Sequence, residues 1–316
     1  MKQILVLGGT GFVGTALCER LVEHSASARI VVPTRRLPRG NGVRSLPTVD
    51  LLQADVHDDA ALARVVAGCD AVVNLVAILH GSAGDFDRVH VALPRRLAQA
   101  CARAGVRRLV HVSALGAGPA ASSMYLRSKT AGETVLAEAQ LDLTLLRPSV
   151  IFGAADRFLN LFAALQSVAP LLPLAGSDAR FQPVWVEDVA SAIVRCLDDR
   201  STIGQTYECT GPTVYTLSEL VALAGRWSGH ERPQWPLPAA LGRLQALAME
   251  WLPGEPMMSR DNLDSMKVPN IATGQLPGLA ALGITAAALE AVAPGYLGGL
   301  RDSGRLDRFR ALARRE

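Results

Sequence analysis

The chain has 316 residues, 49% of them apolar, with a formal net charge of +3. That length suits one large α/β domain with a smaller lobe, and a small charge spread along the sequence excludes a nucleic-acid-binding patch. Five scattered cysteines without a C-x-x-C pair fit thiols in a reducing cytosol, six histidines show no metal-ligand spacing, and no apolar run could span a bilayer.

The first strand is expected at residues 3 to 7, where Ile4, Leu5, Val6 and Leu7 form an apolar run. It leads into Gly8, Gly9, Thr10, Gly11, Phe12, Val13 and Gly14, then into an amphipathic helix carrying Ala16, Leu17, Leu21 and Val22. Between a strand and a helix, G-x-x-G-x-x-G marks a dinucleotide site. The first glycine allows the tight turn, the second lets backbone N–H groups approach a pyrophosphate, and the third lets the helix pack closely on the sheet. The helix N-terminus then faces the anion. A strand that starts at residue 3 leaves no room for a leader, so a cytoplasmic location is expected.

The second strand is read at 29 to 32, running into Pro33, Thr34, Arg35 and Arg36. A site for NAD places an acid at the end of this strand, where it holds the ribose 2′-OH. Here Thr34 stands 20 residues after Gly14, and two guanidinium groups follow it. Arginine supplies the fixed, bidentate donors that a ribose 2′-phosphate needs, so NADP(H) is favoured over NAD(H). Strands at 51 to 54, 71 to 76, 108 to 112 and 144 to 146 follow, with helices near 59 to 67, 92 to 104 and 125 to 139 between them. This βαβ order predicts an α/β, Rossmann-type, doubly wound parallel sheet. After Gly153 the alternation ends and prolines 170, 173, 183 and 212 appear. We expect a core over 1–153 and a C-terminal lobe for substrate or partner over 154–316, with 181–198 returning to the core.

On the helix at 125 to 139, Tyr125 and Lys129 are four residues apart and so share one face. A phenol exchanges protons near neutrality only if its phenolate is stabilised, and the Lys129 ammonium, with the positive nicotinamide of the oxidised cofactor, is placed to do so. Residues 236 to 258 carry Leu237, Leu241, Leu244, Leu247, Ala248 and Trp251 at helical spacing, with Met257 and Met258 beyond and prolines 233, 236, 238, 253 and 256 around them. Only Arg243, Gln245 and Glu250 form a polar face, which is thin for a solvated helix. Part of it is expected to cover the substrate cleft or to meet a partner or membrane surface. The terminal arginines 301, 305, 308, 310, 314 and 315 alternate with Asp302, Asp307 and Glu316 and read as a solvated helix end.

With these motifs the chain resembles the extended and atypical short-chain dehydrogenase/reductase superfamily. Besides the glycine motif, Asp55-Val56 resembles the pair that binds adenine, and the run from Val72 through Leu75, Val76 and Ala77 resembles the fourth-strand motif lining the cofactor. Tyr125 to Lys129 fits Y-x-x-x-K, Leu146 to Gly153 fits the strand and turn beside the nicotinamide, and Val184 to Ala190 resembles a later V-x-D-V-A segment. The phrases V-N-L-V-A, H-V-S-A-L-G-A and Y-L-R-S-K-T-A-G-E are most similar to the branch containing the NAD(P)H-binding accessory subunit of respiratory complex I.

The resemblance implies a cofactor site of Gly8, Thr10, Gly11, Phe12, Val13, Gly14, Thr34, Arg35, Arg36, Asp55, Val56, Leu75, Val76, Ala77, Val112, Pro148, Ser149 and Val150, together with Tyr125 and Lys129. The implied catalytic set is Tyr125 as acid, Lys129 beside it, and Ser113, the one hydroxyl in the Val112-Ser113-Ala114-Leu115 run, orienting a carbonyl. His90 stands where active relatives carry an asparagine, as a polar bridge or as a helix-packing residue. Three functions follow from the resemblance. One is a protein that holds the nucleotide as a structural element and docks on a membrane-bound respiratory assembly at the inner face of the membrane. Another is an NADPH-dependent oxidoreductase or epimerase acting on a small carbonyl or nucleotide-sugar. The third is a module that reports NADP(H) to a protein partner.

Overall fold

Along the first half of the chain, short runs of branched side chains and leucine alternate with amphipathic segments. The computed structural model, which describes residues 1–25, 27–251 and 256–298, resolves them as β1 (Gln3–Leu7), α1 (Phe12–His24), β2 (Arg29–Thr34), α2 (Asn41–Arg44), β3 (Val49–Gln53), α3 (Asp59–Val66), β4 (Ala71–Asn74), α4 (Ala83–Asp87), α5 (Leu93–Ala104), β5 (Arg108–Val112), α6 (Met124–Glu138) and β6 (Asp142–Pro148). Then follow β7 (Ile151–Phe152), α7 (Leu159–Val168), β8 (Leu172–Ala175), β9 (Arg180–Phe181), β10 (Val184–Trp185), α8 (Val186–Asp198), β11 (Thr206–Cys209), β12 (Tyr215–Thr216), α9 (Leu217–Ser228), β13 (Gln234–Leu237), α10 (Ala239–Glu250), α11 (Arg260–Ser265) and α12 (Leu289–Leu297).

Seven parallel strands form the central sheet in the order β11-β6-β5-β4-β1-β2-β3. Period-two alternation sends Ile4 and Val6 to the face covered by α1 and α8, and Leu5 and Leu7 to the face covered by α3 and α5. Because both faces are covered, these strands are continuously apolar. The expected Rossmann-type α/β architecture is therefore the observed one.

Four strands differ in their bounds from the sequence reading: β3 spans Val49–Gln53 rather than 51 to 54, and the other three differ for a local reason. Strand β2 runs on through Thr34, whose carbonyl accepts the Ala54 N–H at 3.0 Å. Pro33 is tolerated there because pairing with β1 stops at Leu5↔Val31, so its missing N–H interrupts no bond on that side. Strand β4 stops at Asn74, two residues early, where the Asn74 side chain accepts the Val76 N–H at 3.2 Å and turns the chain. Strand β6 is longer than expected because β5 pairs along it from Asp142 to Leu146 and β11 from Leu145 to Pro148.

The C-terminal elements pack α7, α9 and α12 around Phe152, Phe162, Leu174, Phe181, Leu220 and Ala293. Helix α10 lies outside this cluster and buries only Gly242 and Ala246, with Gly242 so close that a Cβ there would stand 2.7 Å from the Ala175 Cβ. Leu244 is 61% and Trp251 82% exposed, so the expected apolar stripe lies at the surface. Pro253 and the basic C-terminal run lie outside the described residues. Among the described residues no helix is long and apolar enough to cross a membrane.

Candidate functional site

The turn between β1 and α1 uses each of its glycines differently. Gly8 has φ +82°, a left-handed conformation that L side chains rarely adopt, and its carbonyl accepts the Gly11 N–H at 3.0 Å. A Cβ on Gly14 would stand 2.5 Å from the Gly9 Cα and closer still to the Gly8 oxygen, so only glycine lets α1 approach the strand. Gly11 is the N-cap of α1, with no side-chain cap and no acid in the first turn. The opening N–H groups, from Phe12 onward past Val13, thus present an uncompensated positive end. Thr10 lies in the turn itself, and the Phe12 ring lies against Gly153, where a Cβ would meet it at 3.1 Å.

At the end of β2 the buried Thr34 donates its hydroxyl to the Arg36 carbonyl at 3.2 Å. The turn leaves Arg35 and Arg36 exposed, and neither has a carboxylate partner among the described residues. Asp55, beyond β3, accepts the His57 N–H at 3.0 Å, and Val56 packs at the edge of the core. Sequence reading missed the cations that join this corner. Arg96 donates to the His57 carbonyl at 2.6 Å, and burial lowers the His57 imidazole pKa, with Asp55 opposing and Arg88, Arg35 and Arg96 adding to the effect. Leu75 and Val76 line the far side of the glycine turn, at 3.2 and 3.3 Å from a Cβ built on Gly8, and Ala77 is exposed just past them.

The first two turns of α6 carry Tyr125, half-buried, and Lys129, 2% exposed. Lys129 Nζ donates to the Val112 carbonyl at 2.8 Å, and burial lowers its pKa to about 8, with Glu133 opposing. Burial alone raises the Tyr125 phenol to about 12. The expected lowering of that phenol involves the oxidised nicotinamide as well as the Lys129 ammonium, and in the protein by itself burial is what acts on the phenol. Ser113 is buried, and its Oγ has no hydrogen-bond partner among the described residues. An orphaned hydroxyl costs free energy unless something meets it.

His90 sits in a π-helical turn and bridges two elements. Its Nε2 accepts the Ile78 N–H at 3.1 Å, so Nδ1 carries the proton and faces Ser128 Oγ at 2.8 Å. Ser128 Oγ in turn donates to the Tyr125 carbonyl at 2.7 Å. Burial first, then Lys129, lowers His90 to about 3, so it is a neutral bridge. Gly132 makes this possible, since a Cβ there would overlap the His90 carbonyl.

Two positioning residues had no local signal. Asp261 of α11 accepts the Met124 N–H at 2.6 Å and the Tyr125 N–H at 3.0 Å, capping α6 from the C-terminal lobe. Asn270 accepts from Ser149 Oγ at 2.6 Å and from the Val150 N–H at 3.2 Å, and donates to the Leu115 carbonyl at 3.3 Å. Pro148 is held from the same side, its carbonyl accepting the Leu115 N–H at 2.9 Å. The residues expected beside a nicotinamide are thus strapped to the C-terminal segment. The glycine cradle, the uncapped helix end and the orphaned Ser113 hydroxyl fit a dinucleotide. No group of three or more His, Cys, Asp or Glu among the described residues could hold a metal ion.

Residues 4–209 match the NAD dependent epimerase/dehydratase family. The chain is 32% identical over 296 residues to NADH dehydrogenase (ubiquinone) 1 alpha subcomplex subunit 9, mitochondrial, of Mus musculus, covering 90% of this chain and 77% of that protein. It shares its fold with an NADPH-dependent quinone oxidoreductase, QOR2, from Escherichia coli in complex with NADPH (TM-score 0.74, 21% identity, 93% of this chain and 99% of that one). A second fold neighbour is MoeE5 in complex with UDP-glucose and NAD (TM-score 0.72, 18% identity, 95% and 99%). One neighbour carries NADPH and the other NAD, so the fold alone does not select between them.

Proposed function

The chain belongs to the NAD dependent epimerase/dehydratase family, and from that premise we propose that it binds NADP(H), holds it tightly as a structural element, and serves a membrane-bound respiratory assembly. The observation that carries the cofactor choice is the end of β2, where Thr34 replaces an acid and Arg35 and Arg36 stand without carboxylate partners among the described residues. These two, with the N-terminus of α1, would hold the phosphates. Asp55 and Val56 would meet the adenine, and Lys129 the nicotinamide ribose. Slow release is supported by the Asn270 strap, which must loosen before Ser149 and Val150 can move. The assembly role is supported by the relationship to the mitochondrial subunit and by the exposed face of α10.

The test is a titration with NADPH and NADH, followed by an exchange-rate measurement on the NADPH complex. NADPH should bind more tightly. Arg35→Ala and Arg36→Ala should each weaken NADPH by about 10- to 100-fold and leave NADH nearly unchanged, the size of a charge-assisted hydrogen bond to phosphate. Equal or tighter NADH binding overturns this reading.

A second reading, reduction of a carbonyl substrate, is favoured by the unsatisfied Ser113 hydroxyl. Bound NADPH would supply the hydride. Ser113 would donate its unused hydrogen bond to the substrate oxygen, and Tyr125 would supply the proton. At about 12 the phenol keeps its proton at neutral pH, and a positive group beside it would make it the stronger acid that this transfer favours. Steady-state turnover over carbonyls and nucleotide-sugars, with Tyr125→Phe as control, separates the two readings.

A further inference from the structure

Helices α10 and α11, the first turn of α6 and the loop at Gly81 and Ser82 enclose a cleft of about 1210 Å³. Its apolar lining is Ala240, Leu244 and Leu247 of α10 with Phe86, Met124 and Pro256. Of these, Leu244 is 61% and Met124 38% exposed.

The charged groups of the lining are matched, with one exception. Arg243 pairs with Asp264 at 3.2 Å and Arg260 with Glu250 at 3.0 Å. Asp261 spends both oxygens on N–H groups at the positive end of α6. Arg127, exposed at the cleft, has only backbone carbonyls, Nη1 donating to Ala121 at 2.7 Å and Ser122 at 2.9 Å, and no carboxylate partner among the described residues. A sugar ring against Leu244 and Leu247 would lose hydrogen bonds to water on that side, whereas an alkyl chain would not, and an anionic group would give the Arg127 guanidinium the charged acceptor that no described residue supplies.

We propose that this cleft binds a single-chain amphiphile, its alkyl chain along Leu244 and Leu247 and its terminal anionic group, a phosphate or carboxylate, on Arg127. The inference goes beyond the cofactor reading and uses none of the residues assigned to the dinucleotide.

Calorimetry on the full chain tests it, with n-dodecyl phosphate below its micelle concentration. Inorganic phosphate, decyltrimethylammonium and phosphatidylglycerol vesicles are run in parallel, and an NADPH titration accompanies every variant. The expected result is saturable binding of dodecyl phosphate monomers, weakened about tenfold or more by Arg127→Gln and several-fold by Leu244→Gln, with NADPH affinity unchanged in both. The proposal is overturned if dodecyl phosphate does not bind, if inorganic phosphate binds as well, or if the cationic amphiphile binds equally. It also fails if only vesicles bind, or if both variants retain the parent affinity. A failed NADPH titration beside intact amphiphile binding would sink the cofactor reading alone.

Discussion

Asp261→Ala removes the carboxylate that caps the helix carrying Tyr125. Two N–H groups of the first turn of α6, from Met124 at 2.6 Å and Tyr125 at 3.0 Å, lose their acceptor, while Ser123 Oγ continues to cap Leu126 at 3.2 Å. Losing an N-terminal cap costs about 0.5–2 kcal/mol, and losing a negative charge at that helix end a further 0.3–1 kcal/mol or so. Met124 is exposed, so water replaces part of the loss. The net cost is set at about 2 kcal/mol locally, which corresponds to roughly thirtyfold faster amide exchange. Hydrogen–deuterium exchange across residues 122–130, with a denaturation midpoint alongside, reads it. Asp261→Asn, which keeps one acceptor oxygen, should fall about halfway. Unchanged exchange in Asp261→Ala refutes the cap, and exchange accelerated equally in every segment shows a general loss of stability instead.

Three further outcomes are expected. Gly14→Ala places a methyl 2.5 Å from the Gly9 Cα and should abolish dinucleotide binding, and a variant that binds normally would show the turn free to shift. His90 keeps a pKa of about 3 in the fold against 6.5 outside it, so the unfolded chain binds more protons between these values and stability declines as pH falls from 6.5 toward 3. At pH 5 the loss is about 2 kcal/mol, and the difference between the parent and His90→Gln in urea denaturation should shrink on going from pH 7 to 5; a pH-independent difference refutes it. Lys129 is held at about 8 against an ordinary 10.5, so its burial penalises the apoprotein at neutral pH, and stability should rise between pH 8 and 10.5. Lys129→Met should therefore stabilise the apoprotein by about 1–3 kcal/mol while weakening dinucleotide binding, and denaturation with and without NADPH checks both signs.

What the sequence determined by itself is what one turn or one strand decides. The glycines at 8, 11 and 14 act through backbone sterics within seven residues, the buried strands through period-two apolar runs, and Tyr125 and Lys129 through helical spacing. The missing acid at Thr34 was equally legible, because the end of β2 follows from its own apolar run. Only the tertiary structure decided which distant groups meet these. Asp261 reaches Tyr125 across 136 residues of sequence and Asn270 reaches Leu115 across 155. The neutral bridge at His90 exists because Gly132 lets α6 touch its carbonyl, and the surface position of α10 follows from which small residues, Gly242 against Ala175, let it dock on one side only. Side-chain partners of this kind depend on where helix ends point after packing, a relation that local periodicity does not encode.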